Sequence, residues 1–225
     1  YYWRIDEVNN TNPASPWVGN VWSFTTTDHG VVDDFESYNE IPPGQPGSNA
    51  VYMTWPDGYV PPPATRTNGS TMGYLTGASL ETANVHGGAK AAPLIYDNSG
   101  TASYSEVERT LPAQNWTNHG IQTLSLWFCG ASANVPGQLY VKINGVKVLY
   151  DGDASNLKKP VWQPWHIPLA SVGTNSPGGS LTGLQSVNKL AIGVETKGAK
   201  GTLLLDDIEL TAPGAIMMWT VLHHH

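Results

Sequence analysis

Along most of the chain apolar residues recur at every second position, the period of a strand with one buried face. In Ile121 to Cys129, Leu124, Leu126 and Phe128 share one face, while Thr123, Ser125 and Trp127 share the other. In Leu139 to Tyr150, Leu139, Val141 and Ile143 align. Asn144-Gly145 follows, and these residue types suit the two left-handed positions of a type I′ turn. Trp165 to Leu169 alternates, with Pro168 restricting it to an edge or a strand end. Leu190, Ile192 and Val194 alternate, and Thr202 to Leu210 is the last such segment. No segment sustains a helical period. Roughly eight to ten short strands between turns predict an all-β chain, a jelly-roll β-sandwich large enough to bury its own core.

A shorter unit precedes it. Trp3 to Val8 and Val21 to Thr25 alternate around an Asn-, Pro- and Ser-rich loop, which predicts a β-hairpin appendage. An isolated hairpin is marginal in water, so it needs further packing. The expected division is residues 1–27 for the hairpin, 28–212 for the sandwich and 213–225 for a tail. His223 to His225 in that tail read as the remnant of a purification tag. Long loops are expected at Ile41 to Asn49, Asp57 to Ser70 and Gly173 to Gly183, a length usually tied to function.

Composition narrows the partners. Lys and Arg number 11 against 18 Asp and Glu, and Arg4, Arg66 and Arg109 are the only arginines. No basic stripe could neutralise phosphates, so nucleic acid is excluded as a partner. No apolar run approaches the ~20 residues that span a bilayer, which excludes membrane insertion by a helix. Cys129 is the sole cysteine, so neither a disulfide nor a Cys-based zinc site forms, and a buried thiol is expected. The chain opens on Tyr1-Tyr2-Trp3 without a signal-peptide pattern, as a piece of a longer protein would.

Two acidic clusters carry the candidate chemistry. "VVDDFESY" and "LLLDDIEL" set carboxylates inside apolar strands. Such carboxylates are costly unless paired or bound to a cation, and Arg is too scarce to pair them all. A hard cation with oxygen ligands solves this, and calcium suits it best. The alternative is that these acids cap strand ends and accept hydrogen bonds from backbone amides.

The motifs also resemble known modules. "YYWRIDEVN…GNVWSFTT" resembles the last two strands of a fibronectin type III-like module. Over residues 31–211, the "DFE" start and the apolar run ending Asp-Asp-Ile resemble jelly-roll carbohydrate-binding modules of the galactose-binding-like superfold. The resemblance implies a non-catalytic, polysaccharide-binding unit among the flanking domains of a secreted or cell-surface bacterial protein. It implies that the first and last strands lie side by side and share a structural calcium. Carried onto matching positions, it implies Glu36 and Asp206 as ligands, with Asp34 or Asp207 as further ones.

Tryptophan supplies the candidate ligand face. Nine Trp and 10 Tyr stand against 3 Phe. A Trp ring offers an apolar face for sugar C–H groups and one N–H. Trp127 and Trp165 sit in regular alternation and are assigned to the core, and Trp3, Trp17 and Trp22 to hairpin packing. Trp55 and Tyr59 flank a Pro-rich loop, Trp116 follows Gln114-Asn115, and Trp162 precedes Gln163-Pro164. These four are the stacking candidates, each with core packing as its alternative. Asp97 could contact sugar hydroxyls or simply shape a turn.

Enzyme signatures are sparse. A glycosidase needs two separated carboxylates, whereas Glu106 and Glu108 share one strand face. Arg109, His119 and Tyr104 supply the residue types of a polysaccharide lyase without its local motifs. A small jelly-roll hydrolase or lyase using Glu106 or Glu108 with Arg109 or His119 stays as one alternative. A structural or adhesive surface domain, with every Trp in the core, is the other.

Overall fold

The computed structural model describes residues 2–23, 30–59, 66, 68–175, 181–213 and 220–221. In chain order the strands are β1 (Tyr2–Trp3), β2 (Trp22–Ser23), β3 (Gly30–Asp33), β4 (Ser70–Met72), β5 (Ala92–Asp97), β6 (Tyr104–Gln114) and β7 (Thr123–Cys129). They continue with β8 (Gln138–Ile143), β9 (Val146–Leu149), β10 (Trp162–Pro168), β11 (Val187–Glu195), β12 (Lys200–Thr211) and β13 (Thr220–Val221). Helical turns are short among the described residues, where the longest α-helix is Ala170–Asn175.

Alternation produces two facing antiparallel sheets. One runs β10-β7-β12-β5-β4, with β3 also paired to β12, and the other runs β6-β11-β8-β9. Leu124, Leu126 and Phe128 meet Leu139, Val141, Ile143, Leu190, Ile192 and Val194 in a single core. Burying each such side chain contributes about 1.5–3 kcal/mol, which makes this layer the main source of stability. Asn144 and Gly145 have φ of 49° and 84°, as the type I′ turn requires. Pro168 ends β10, an edge strand, where its missing N–H breaks no ladder. The first and last strands of the sandwich are neighbours, with Asp33 opposite Ile208 and Gly30 opposite Leu210.

The appendage is a small sheet of its own. β1 pairs with β2, and Glu7 and Trp17 exchange backbone hydrogen bonds of 3.0 and 2.9 Å nearer the loop. Thr220 and Val221, within the expected tail, pair with β2 as well. Trp3 and Trp17 are both partly exposed. The Trp22 side chain, residues 24–29, the proline segment 60–65, residues 176–180 and the terminal histidines lie outside the described residues.

Two stacking candidates prove to be core residues. Trp55 and Trp116 are 0% and 1% exposed, so neither ring offers a face to a ligand. The reason for Trp55 lies in the first acidic cluster. Asp33 is buried, and its Oδ2 accepts from Trp55 Nε1 at 2.7 Å and from the Tyr38 hydroxyl at 2.6 Å. Its Oδ1 accepts from the Phe35 amide at 3.0 Å. Arg109, on β6 of the opposite sheet, donates to Asp33 Oδ2 and to the Val32 carbonyl. Trp116 is held by its own local pair, donating from Nε1 to Gln114 Oε1 at 3.1 Å.

Candidate functional site

The outward face of β10, β7 and β12 is a grid fixed by register. In its central row Pro164 lies opposite Trp127, and Trp127 opposite Asp206. On one side Trp162 faces Cys129 and Cys129 faces Leu204; on the other His166 faces Ser125 and Ser125 faces Glu209. Trp127 is half-buried, correcting its assignment to the core, whereas Trp165 is buried as expected. The parity of β7 explains the difference, because Trp127 points with Thr123 and Ser125 rather than with the Leu124-Leu126-Phe128 face. Trp162 and Trp127 are diagonal neighbours across a strand pair, within reach of each other's large side chains.

A loop closes over this grid and builds an aromatic platform. His86 stacks on Trp127 with ring centroids 3.7 Å apart and planes 18° from parallel. It meets Trp162 edge-on, at 5.8 Å and 64°. Asp207 Oδ2 lies 2.6 Å from His86 Nδ1 and sets the imidazole in place. Asn84 Oδ1 accepts from Trp162 Nε1 at 3.0 Å, which fixes the second ring. Asn84 and His86 are exposed and Trp162 is half-buried, so the rings are preorganised and reachable. Asn84 Nδ2 also points to the Cys129 sulfur at 3.5 Å. Burial pushes that thiol up against the pull of Asn84, so it stays protonated at neutral pH.

The other site candidates scatter. Tyr59 is exposed with the Arg66 guanidinium 5.5 Å above its ring. Asp97 lines a shallow cleft with Arg66, Asn68 and Gly69. Its carboxylate accepts from the Ser99 amide and hydroxyl at 2.9 and 2.5 Å, which is the turn-forming alternative. Glu106 pairs with Lys142 at 2.6 Å, and Glu108 pairs with Lys189 at 2.7 Å. Arg109 is turned inward to Asp33.

The carboxylates assigned to calcium are engaged by main-chain amides. Asp206 Oδ2 accepts from the His86 and Gly87 amides at 2.9 and 3.3 Å, and its Oδ1 from the Asp207 amide at 2.9 Å. Glu36 Oε1 accepts from the Ala89 and Lys90 amides, both at 2.8 Å. Asp34 Oδ1 accepts from the Glu36 amide at 3.1 Å. Asp207 sits at a bulge in β12 with φ of 42°, which turns its side chain to His86. Among the described residues no three His, Cys, Asp or Glu side chains converge on a metal position. With both Asp206 oxygens and one oxygen each of Glu36, Asp34 and Asp207 already engaged, this donor set fits a hard cation poorly, since such an ion needs several oxygens aimed at one point.

Burial pushes the Asp206 carboxyl up from 3.8 to about 6; the Asp207 carboxylate pushes the same way, and the amides of His86, Gly87 and Asp207 oppose them. A group with a raised folded-state pKa stabilises below its unfolded value and loses that contribution as pH rises through the folded one. Asp206 therefore favours folding below about pH 4 and loses that contribution by about pH 6. Acidification from about pH 7 to about pH 5 is expected to raise the melting temperature of the native chain relative to Asp206→Asn. Parallel melts across that range check it; identical pH slopes would contradict it.

No family model matches the chain, and no curated protein matches its sequence. Among solved structures it is similar to part of an exo-β-agarase, at 14% identity and a TM-score of 0.54, over 81% of this chain and 24% of that one. A family 11 carbohydrate-binding module of a Clostridium thermocellum cellulosomal cellulase aligns at 15% identity and a TM-score of 0.46, over 89% of this chain and all of that one. A family 30 module of another cellulosomal cellulase of that organism aligns at 17% and 0.44, over 64% and 91%. The chain thus spans about a quarter of the agarase's length, and that likeness establishes the sandwich fold.

Proposed function

We propose that this chain is a non-catalytic carbohydrate-binding module that holds a polysaccharide on the Trp162–His86–Trp127 platform. The observation that carries the reading is the partly open aromatic cluster whose rings are fixed by hydrogen bonds to Asn84 and Asp207. Rings held in one geometry stack on sugar C–H faces without an ordering cost, and the Asn84, His86 and Asp207 polar atoms suit hydroxyls. The outward positions of β7 and β10 hold no Lys or Arg, and Asp207 and Glu209 border them. This charge favours a neutral glycan over a sulfated or uronic one.

An open face with few polar anchors limits affinity per site. A weak module still raises the local concentration of whatever is joined to it, which is how such a unit serves a larger secreted protein. The agarase, in which a similar sandwich accounts for about a quarter of the chain, supports this modular setting. Residues 28–212 are then the binding unit, and residues 1–27 a separate small sheet that Thr220 and Val221 join.

The test is affinity electrophoresis through neutral polymers (agarose, mixed-linkage β-glucan, xyloglucan) and anionic ones (alginate, carrageenan), with an assay for released reducing ends. Retardation by a neutral polymer without release is expected. Release of sugar would establish an enzyme, and retardation by none of them would establish a structural domain.

A further inference from the structure

At the junction of the first and last strands the chain carries its own cation. We propose that the Lys90 ammonium takes the place of a divalent metal at that corner, so that the fold is independent of calcium. Lys90 Nζ donates to the carbonyls of Glu36 and Tyr38 at 2.8 and 2.7 Å. Main-chain carbonyls gathered beside a carboxylate are the donor class a hard cation seeks, and an ammonium with three N–H groups satisfies them equally well. The Lys90 amide meanwhile binds Glu36 Oε1 at 2.8 Å, so one residue serves both the carbonyls and the carboxylate.

The main chain occupies the remaining space. Residues 86–90 pass from Asp206 on β12 to Glu36 beyond β3, giving two amides to each carboxylate. A Cβ on Gly87 would lie 2.5 Å from Asp207 Oδ2, and one on Gly88, whose φ is 58°, would meet the Glu36 carboxylate. Glycines at both positions let the backbone approach closely enough to fill the gap between the acids. His86 adds its contact to Asp207, so three of the four carboxylates assigned to a metal are answered from this one loop, and Asp34 is capped by the Glu36 amide.

Thermal melts of chelator-treated protein, in EDTA and in excess calcium chloride, test the proposal without reference to glycan binding. The same melting temperature is expected in both. Lys90→Met is expected to melt lower, by on the order of 5 °C, because the two carbonyls lose a charged donor. A wild-type melting temperature that falls in EDTA and returns with calcium would overturn the proposal, as would Lys90→Met melting with the wild type. Should Lys90→Met fail to fold, calorimetric titration of calcium into the wild-type chain decides. No binding heat is expected, and a saturable one overturns the proposal.

Discussion

Asp33→Ala is expected to destabilise the sandwich by about 3–5 kcal/mol, the range for breaking a buried ion pair from one side. The carboxylate accepts from Arg109, from the Trp55 indole, from the Tyr38 hydroxyl and from the Phe35 amide. Alanine leaves all four donors without that acceptor, and the guanidinium is held among the two sheets by the Val32 carbonyl alone. Burial and the neighbouring Asp33 carboxylate both push the Tyr38 phenol well above its ordinary pKa, so it keeps the proton it donates to Asp33. Arg109→Met is expected to cost less, because the carboxylate keeps three neutral donors while methionine fills the apolar volume. In a domain of this size each kcal/mol moves the melting temperature by about 2–4 °C, so Asp33→Ala should melt about 10 °C lower or fail to fold. Urea titrations of both variants give the comparison. An Asp33→Ala loss below about 1 kcal/mol, or equal losses for the two, would contradict the stitching role.

That cluster also marks where sequence reading stops. The period-two pattern of Leu124-Leu126-Phe128 and of Leu139-Val141-Ile143 determines strands, faces and the Asn144-Gly145 turn, because each depends on residues within a few positions. Trp55 depends on residues far away. Its indole is buried because Asp33, 22 positions earlier, accepts its N–H. Asp33 is in turn neutralised by Arg109, 76 positions later, a pairing no local pattern reveals. Trp127 is legible in principle, since its parity with Thr123 and Ser125 puts it outward, whereas regular alternation by itself does not say which face is buried. The acids of "LLLDDIEL" need partners wherever their strand is buried. Which partners they have depends on a loop 120 positions earlier, so amide capping and a cation could not be told apart from sequence. Trp162 is the stacking candidate that lies on the platform, and it does so because the outward parity of β10 places it diagonal to Trp127.

Trp162→Ala should therefore abolish most polysaccharide binding while leaving the fold intact. Its ring is partly open, sits on an edge strand and is oriented by Asn84. A preorganised indole at the centre of an interface typically contributes about 2 kcal/mol or more, a loss of roughly 30-fold in affinity. Asn84→Ala keeps the ring and frees its N–H, so a smaller loss is expected, nearer tenfold, from the orientational freedom regained. Trp127→Ala acts at one remove. One face of Trp127 is covered by His86 at 3.7 Å, so its truncation unseats the imidazole more than it removes a stacking surface. Tyr59→Ala is the control, since that ring stands under Arg66 beside a different cleft. Affinity electrophoresis of the four variants in the retarding polymer, with melting temperatures measured alongside, separates the contributions. Loss of retardation in Trp162→Ala at unchanged stability places the sugar on β10 and β7. Full retardation in Trp162→Ala with loss in Tyr59→Ala would move the site to the Arg66–Asp97 cleft, and with it the argument from charge, because there a guanidinium faces the ligand.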